Sequence, residues 1–137
     1  MNTPKPDISA PEDIRRFVDA FYERVRQDDP LRYLFDEVAG LDWPSHLPRM
    51  YDFWNALVFG TGEYKGNPMQ PHLNLARLAP VRPEHFQRWL RLFEATIDAH
   101  FAGEVADQTK MRARSIATVI ESKLFQTGLL ADSLESA

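Results

Sequence analysis

Four side chains in this sequence carry chemistry that their surroundings must explain: Tyr22, His46, His72 and Trp89. An imidazole is neutral near pH 7 and ligates iron, zinc or copper through whichever ring nitrogen is left free by the hydrogen bond of the other. His46 ends an apolar stripe of helical period that continues through Met50, Phe53, Trp54 and Leu57. His72 lies in YKGNPMQPHLNL (64–75), among a glycine, two prolines and several amides, with neither helical nor strand period. Two imidazoles facing each other across an apolar slot suit a flat, iron-bearing cofactor with one histidine on each side. Zinc is the competing reading, although it ordinarily takes three or four protein ligands. Tyr22 and Trp89 each place one polar group on an apolar stripe, where a buried O–H or N–H needs a partner. A polar ligand atom in a pocket would be such a partner.

Much other chemistry is excluded. The sequence has no cysteine, so disulfides, thiolate nucleophiles, iron–sulfur clusters, cysteine zinc sites and covalent C-x-x-C-H haem attachment are all impossible. There is no H-E-x-x-H and no Glu-x-x-His pair for a di-iron bundle. GTGEYKG (60–66) has the wrong spacing for a dinucleotide fingerprint and follows a helix rather than a strand. His85, beside Glu84 at a helix start, and His100, in a last helical turn where a cation suits the dipole, are explained locally. A formal charge of -4 and a pI near 5.5 give no broad positive field, so no nucleic-acid partner is expected. No apolar run approaches the roughly 20 residues that cross a bilayer. The N-terminus lacks the basic and apolar regions of a secretion signal, so the expected location is cytoplasmic and no membrane partner is expected.

The elements that must hold these side chains are helical. With 137 residues, 44% of them apolar, the chain suits one domain with a single core. Ser9 opens SAPE, which reads as a capping box with Glu12. Ile14, Phe17, Val18, Phe21, Tyr22 and Val25 then form a helical stripe. PLRYLFDEVAG predicts a short helix turning Leu31, Leu34, Phe35 and Val38 inward and closed by Gly40. The next helix begins near Asp42 or Ser45, and Pro48 favours the later start. Phe86, Trp89, Leu90, Phe93, Ile97 and Phe101 mark one further helix; Ala113, Ile116, Ala117, Ile120 and Leu124 mark another, with Gly128 as its stop. The irregular span between Phe59 and Pro83 is longer than a compact domain carries without purpose. A short helix started by Pro68, with Pro71 in its first turn, would give His72 a firm backbone. The expected fold class is all-α. The expected organisation is an N-terminal extension over 1–10, a domain over 11–128 and a flexible tail over 129–137.

FYERVRQDDPL, DWPSHLPRMYDFW, GTGEYKGNPMQPHLNL and EHFQRWLRLFEATI, in that order, resemble the third group of truncated haemoglobins. The similarity runs from about Ile14 to about Leu124. The resemblance implies a truncated globin fold, a two-over-two helical sandwich around a noncovalent haem b. It implies that His72 is the proximal iron ligand and that His46 holds the distal position, as a gate or as a second iron ligand. Tyr22 matches the tyrosine that points its hydroxyl at bound ligand, and Trp89 the tryptophan whose indole N–H joins it. Phe35 matches the aromatic that wedges the haem, with Met50 over the porphyrin one turn beyond His46. Arg49 is implied as a partner for a haem propionate, with Tyr64 a weaker one. Met69 and Phe86 complete the implied haem contacts.

Oxygen as a ligand carries partial negative charge on its outer atom, which donors already aimed there stabilise without reorganising. Tyr22 and Trp89 would supply two, and tight retention suits chemistry on oxygen better than its delivery. The expected function is therefore reversible binding of O2, NO and CO. Nitric oxide detoxification or oxygen and peroxide redox chemistry, served by an unidentified reductase, is preferred over bulk transport, and the protein is expected to be a monomer. Nitric oxide dioxygenase and peroxidase-like activity are the enzymatic readings considered. Between Tyr64 and Arg82 there is no Asp or Glu, so the proximal imidazole is expected to bond a backbone carbonyl, which favours binding over peroxidase turnover. The alternatives are a non-haem metal enzyme, zinc-dependent for instance, and a helical interaction module.

Overall fold

The computed structural model describes residues 4–61 and 66–136, which are helical apart from loops and one isolated bridge between Val81 and Leu130. The elements are α1 (Pro11–Val25), α2 (Asp29–Arg32) continuing into a π-helical turn (Tyr33–Val38), α3 (Trp43–Phe59), α4 (Met69–Leu78), α5 (Pro83–His100), α6 (Glu104–Gln126) and a closing 3-10 turn (Leu134–Ser136). The all-α expectation holds.

One helix start differs from the sequence reading, and at another the earlier of the two expected starts holds, not the later one that Pro48 favoured. The N-cap of α1 is Ala10, and the side chain that reaches back is Asp13, accepting from the N–H of Ser9 at 2.9 Å and of Ala10 at 3.1 Å. Helix α3 starts early, at Trp43, with Pro48 inside it. The helix tolerates Pro48 because the carbonyl it deprives belongs to Pro44, in the first turn, and both prolines are exposed to water. The early start makes Trp43 and His46 neighbours one turn apart on the same helix.

Helix α1 packs on α3 and α5, α5 packs on α6, and α6 also touches α3. Their shared interior is aromatic. Trp54 and Phe93 stack at 4.9 Å, and Phe17 meets both rings edge-on at 5.8 and 5.7 Å. Each such ring, fully buried, contributes roughly 2–3 kcal/mol. A second, smaller core lies apart from the first: Leu34, Ala79, Val81 and Leu124, joined by Leu73, Ala76, Phe86, Leu129 and Leu130. Helix α4 rests on this second core, packing on α6 and the π-turn.

Both chain ends do more than the sequence suggested. Ile8 is fully buried in the main core, and Pro6 accepts from the N–H of Ala102 at 3.0 Å. Asp7 accepts from the N–H of Val105 at 3.0 Å and of Ala106 at 2.8 Å, capping α6 from outside its own segment. Gly103 makes this cap feasible: its φ is +145°, and a Cβ there would lie 2.4 Å from Asp7 Cγ. The stretch expected as a flexible tail is tethered instead. Ala131 donates to the Val81 carbonyl at 2.8 Å, Arg82 donates to the Asp132 carbonyl at 2.6 Å, and Glu84 accepts from Ser133 Oγ at 2.6 Å.

Asp7 gives a stability prediction. Burial works against its carboxylate, but the N–H groups of Val105, Ala106 and Ile8 together hold its carboxyl below the usual value. A lowered carboxyl stabilises the fold above the unfolded pKa, near 4, and loses that contribution as pH falls through the folded value. Asp7→Ala should cost about 1 kcal/mol, the typical worth of a helix cap, lowering Tm by about 4 °C at neutral pH. Thermal scans of both proteins should show that gap closing below about pH 4.

Candidate functional site

His46, Tyr22 and Phe35 come together at one end of the main core. The Tyr22 ring lies 5.4 Å from His46 and 6.1 Å from Phe35, edge-on to both. Tyr22 is buried, and burial pushes its phenol well above the usual value, so it stays protonated. Among the described residues no group accepts its O–H. Trp89 stacks on Phe93 at 5.5 Å and meets Phe21 edge-on at 5.4 Å; its indole N–H likewise has no acceptor there. Among the described residues His46 Nε2 is buried and unpartnered. Of these, His46 Nε2 is the buried group left without the partner that burial requires, and it shares one aromatic framework with the Tyr22 hydroxyl and the Trp89 indole.

His72 stands on α4, which caps on Pro68 and carries Pro71 in its first turn. The Asn67 side chain accepts from the Met69 N–H at 3.1 Å. The proline-framed helix expected for this stretch is present. His72 Nδ1 lies 2.5 Å from the Pro68 carbonyl. As Nδ1–H donating there, the ring leaves Nε2 with its lone pair free, which is the ligating form. Burial lowers the His72 pKa against the raising effect of that bond. His46 is lowered first by burial, then by the charges of Arg49 and His72. Both imidazoles are thus biased toward neutrality, and they lie within electrostatic reach of each other. Helices α3 and α4, which carry them, share no extended packing.

Around this pair, Met50 is half-buried against the main core, while Met69 and Phe86 are half-buried on the α4 side. Arg49 is exposed beside His46 and makes no ion pair among the described residues. Tyr64 lies outside the described residues. His85 Nδ1 accepts from the Arg82 N–H at 2.9 Å and caps α5, the local role its position suggested. Among the described residues no three His, Asp or Glu side chains converge on one point, so a zinc site of ordinary ligand number has no basis there.

Trp43 is the neighbour that sequence reasoning missed. Its ring lies 5.3 Å from Tyr22, 5.6 Å from His46 and 6.2 Å from Phe35. Its indole N–H donates to Asp36 Oδ1 at 2.7 Å, and the Arg26 guanidinium sits 4.9 Å above the ring. The signal was available, since Trp43 precedes His46 by one helical turn. The late start assigned to α3 hid it.

A family model described as bacterial-like globin matches residues 7–122. The chain is 32% identical over 120 residues to a group 3 truncated hemoglobin, ctb, of Campylobacter jejuni subsp. jejuni serotype O:2, spanning 85% of this chain and 92% of that protein. A crystal structure of a group III truncated hemoglobin from Campylobacter jejuni superposes with a TM-score of 0.77 at 31% identity, covering 88% of this chain and 94% of that one.

Proposed function

This chain belongs to the bacterial-like globin family, on the side of the group 3 truncated haemoglobins, and from that membership we propose a haem protein that binds O2, NO and CO reversibly and turns them over rather than transporting oxygen. The observations that carry the proposal are His46 Nε2, buried and unpartnered among the described residues, with the Tyr22 O–H and Trp89 N–H on the same aromatic framework, and on the other side His72 Nε2, left free by the Pro68 contact. A flat cofactor between α3 and α4 accounts for all four at once, and for the separation of the two apolar cores.

The group proposed is a noncovalent haem b, which supplies an iron that binds diatomic ligands and exchanges electrons. His72 is assigned as its proximal ligand, oriented by the Pro68 carbonyl. That partner is uncharged, and among the described residues no carboxylate bonds the ring. The proximal side therefore supports ligand binding more than peroxide cleavage. Tyr22 and Trp89 donate to the outer atom of a ligand, His46 gates the distal side or ligates iron in the resting state, and Phe35, Met50, Met69 and Phe86 wall the ring. Arg49, exposed and without an ion pair among the described residues, pairs with a propionate. The chemistry that fits is nitric oxide oxidation or oxygen reduction, with electrons from a separate reductase, in a cytoplasmic monomer. Among the described residues no helix is long and apolar enough to cross a membrane.

An absorption spectrum of the purified protein tests the reading. An intense Soret band with about one haem per chain is expected, whereas a colourless protein that takes up no added haem would overturn it. His46→Ala separates the two roles of that residue. If His46 only gates, the ferric spectrum stays five-coordinate or water-bound and only ligand association changes. If it ligates, a six-coordinate resting spectrum is lost.

A further inference from the structure

An open groove of about 610 Å³ runs between α1, the π-turn and α3, bordered by Glu23, Arg26, Asp36, Leu47 and Tyr51. It does not include His46 or His72. Its lining does include Tyr22 and Trp43, and those two rings are also the ones that touch His46, at 5.4 and 5.6 Å. One layer of aromatic side chains, Tyr22 and Trp43, thus lies between the groove and His46 Nε2. We propose that this groove is a passage by which diatomic ligands reach the distal chamber, that Trp43 is its gate, and that Asp36 is the latch.

The inference rests on the haem-globin reading above. The latch is built from charge: the Trp43 indole N–H donates to Asp36 Oδ1 at 2.7 Å, and Arg26 lies 4.0 Å from Asp36 Oδ2 while covering the ring at 4.9 Å. Asp36 itself stands on the π-turn, the kind of helical irregularity that is often found at functional sites. Trp43 is the second residue after Leu41, in the loop-to-helix junction that opens α3, so its ring can swing toward the groove without unwinding the helix interior. A gate of this kind changes the height of a barrier and not the energies of the free and bound states. It therefore moves association and dissociation by the same factor and leaves affinity alone.

Asp36→Ala removes the latch without touching Tyr22, His46, His72 or Trp89. Loss of one charge-assisted hydrogen bond should raise the open population about tenfold. Laser photolysis of the carbon monoxide complex should then show association and dissociation both about tenfold faster with an unchanged ratio, and Asp36→Glu should restore most of the wild-type rates. Hydrogen exchange of the Trp43 indole N–H, followed by NMR with or without haem, should quicken in Asp36→Ala. A normal Soret band with unchanged rates would overturn the gate. So would a change in carbon monoxide affinity, which would mean that Asp36 shapes the chamber rather than closing it. A protein that takes up no haem would show no Soret band, and would overturn the functional reading together with the gate.

Discussion

His72→Ala is expected to abolish stable haem binding. The residue supplies the ligating nitrogen proposed for iron, and its ring is fixed by the 2.5 Å contact between Nδ1 and the Pro68 carbonyl. Loss of an outer partner of a metal ligand typically costs 10–100-fold in affinity, and loss of the ligand itself should cost more than that. The variant should purify largely colourless, or give up added haem to a scavenging apoprotein at least a hundredfold faster than wild type. Because α4 is held by its own apolar face on the second core, the helical circular dichroism should survive the substitution. Added imidazole should enter the vacated space and restore part of the Soret band. A fully coloured His72→Ala protein with wild-type haem loss would move the proximal assignment elsewhere, and His46→Ala would then become the informative variant.

The second large effect concerns ligand retention. Tyr22→Phe removes one donor and keeps the ring, so the contacts of residue 22 at 4.9 and 6.1 Å should persist, whereas Trp89→Phe removes the other donor and leaves a smaller ring beside Phe21 and Phe93. A hydrogen bond to a charged acceptor in a dry pocket is worth about 1.5–3 kcal/mol, or roughly 10–100-fold in off-rate. Stopped-flow displacement of oxygen by carbon monoxide should show each single variant losing oxygen faster by that factor. The double variant should fall short of the product, because both donors address one ligand atom. Burial raises the Tyr22 phenol, so the hydroxyl remains a donor across the neutral and alkaline range and the effect should not vary with pH there. Unchanged off-rates in both single variants would remove retention from the proposed function.

The sequence carried the helices well because their apolar stripes are long and regular: α1, α5 and α6 follow their predicted spacing closely. It also carried the short helix under His72, because Pro68 and Pro71 fall where a helix start accepts proline. What it hid were facts of tertiary contact. Pro48 pointed to a late start for α3 because propensity counts a lost hydrogen bond without knowing that the deprived carbonyl faces water. Trp43 left the site with that error. Asp7 was read as part of an extension since its partners, Val105 and Ala106, lie at the far end of the chain. The last residues read as a frayed end for the same reason: Leu129 and Leu130 gain meaning only beside Val81 and Leu124.

The second core also bears on when the protein can become functional during its own synthesis. The wall bearing His46 and Tyr22 draws on α1 and α3, which are made early. The wall bearing His72 rests on Leu124, Leu129 and Leu130, and is pinned by Ala131 to Val81, all of them translated long after His72 itself. A ribosome stalled before α6 is complete would therefore hold a chain with both histidines already made and nothing firm behind the second. Under the haem-globin proposal, the His72 wall would be ready to hold a cofactor only once residues 124–131 have been made and packed.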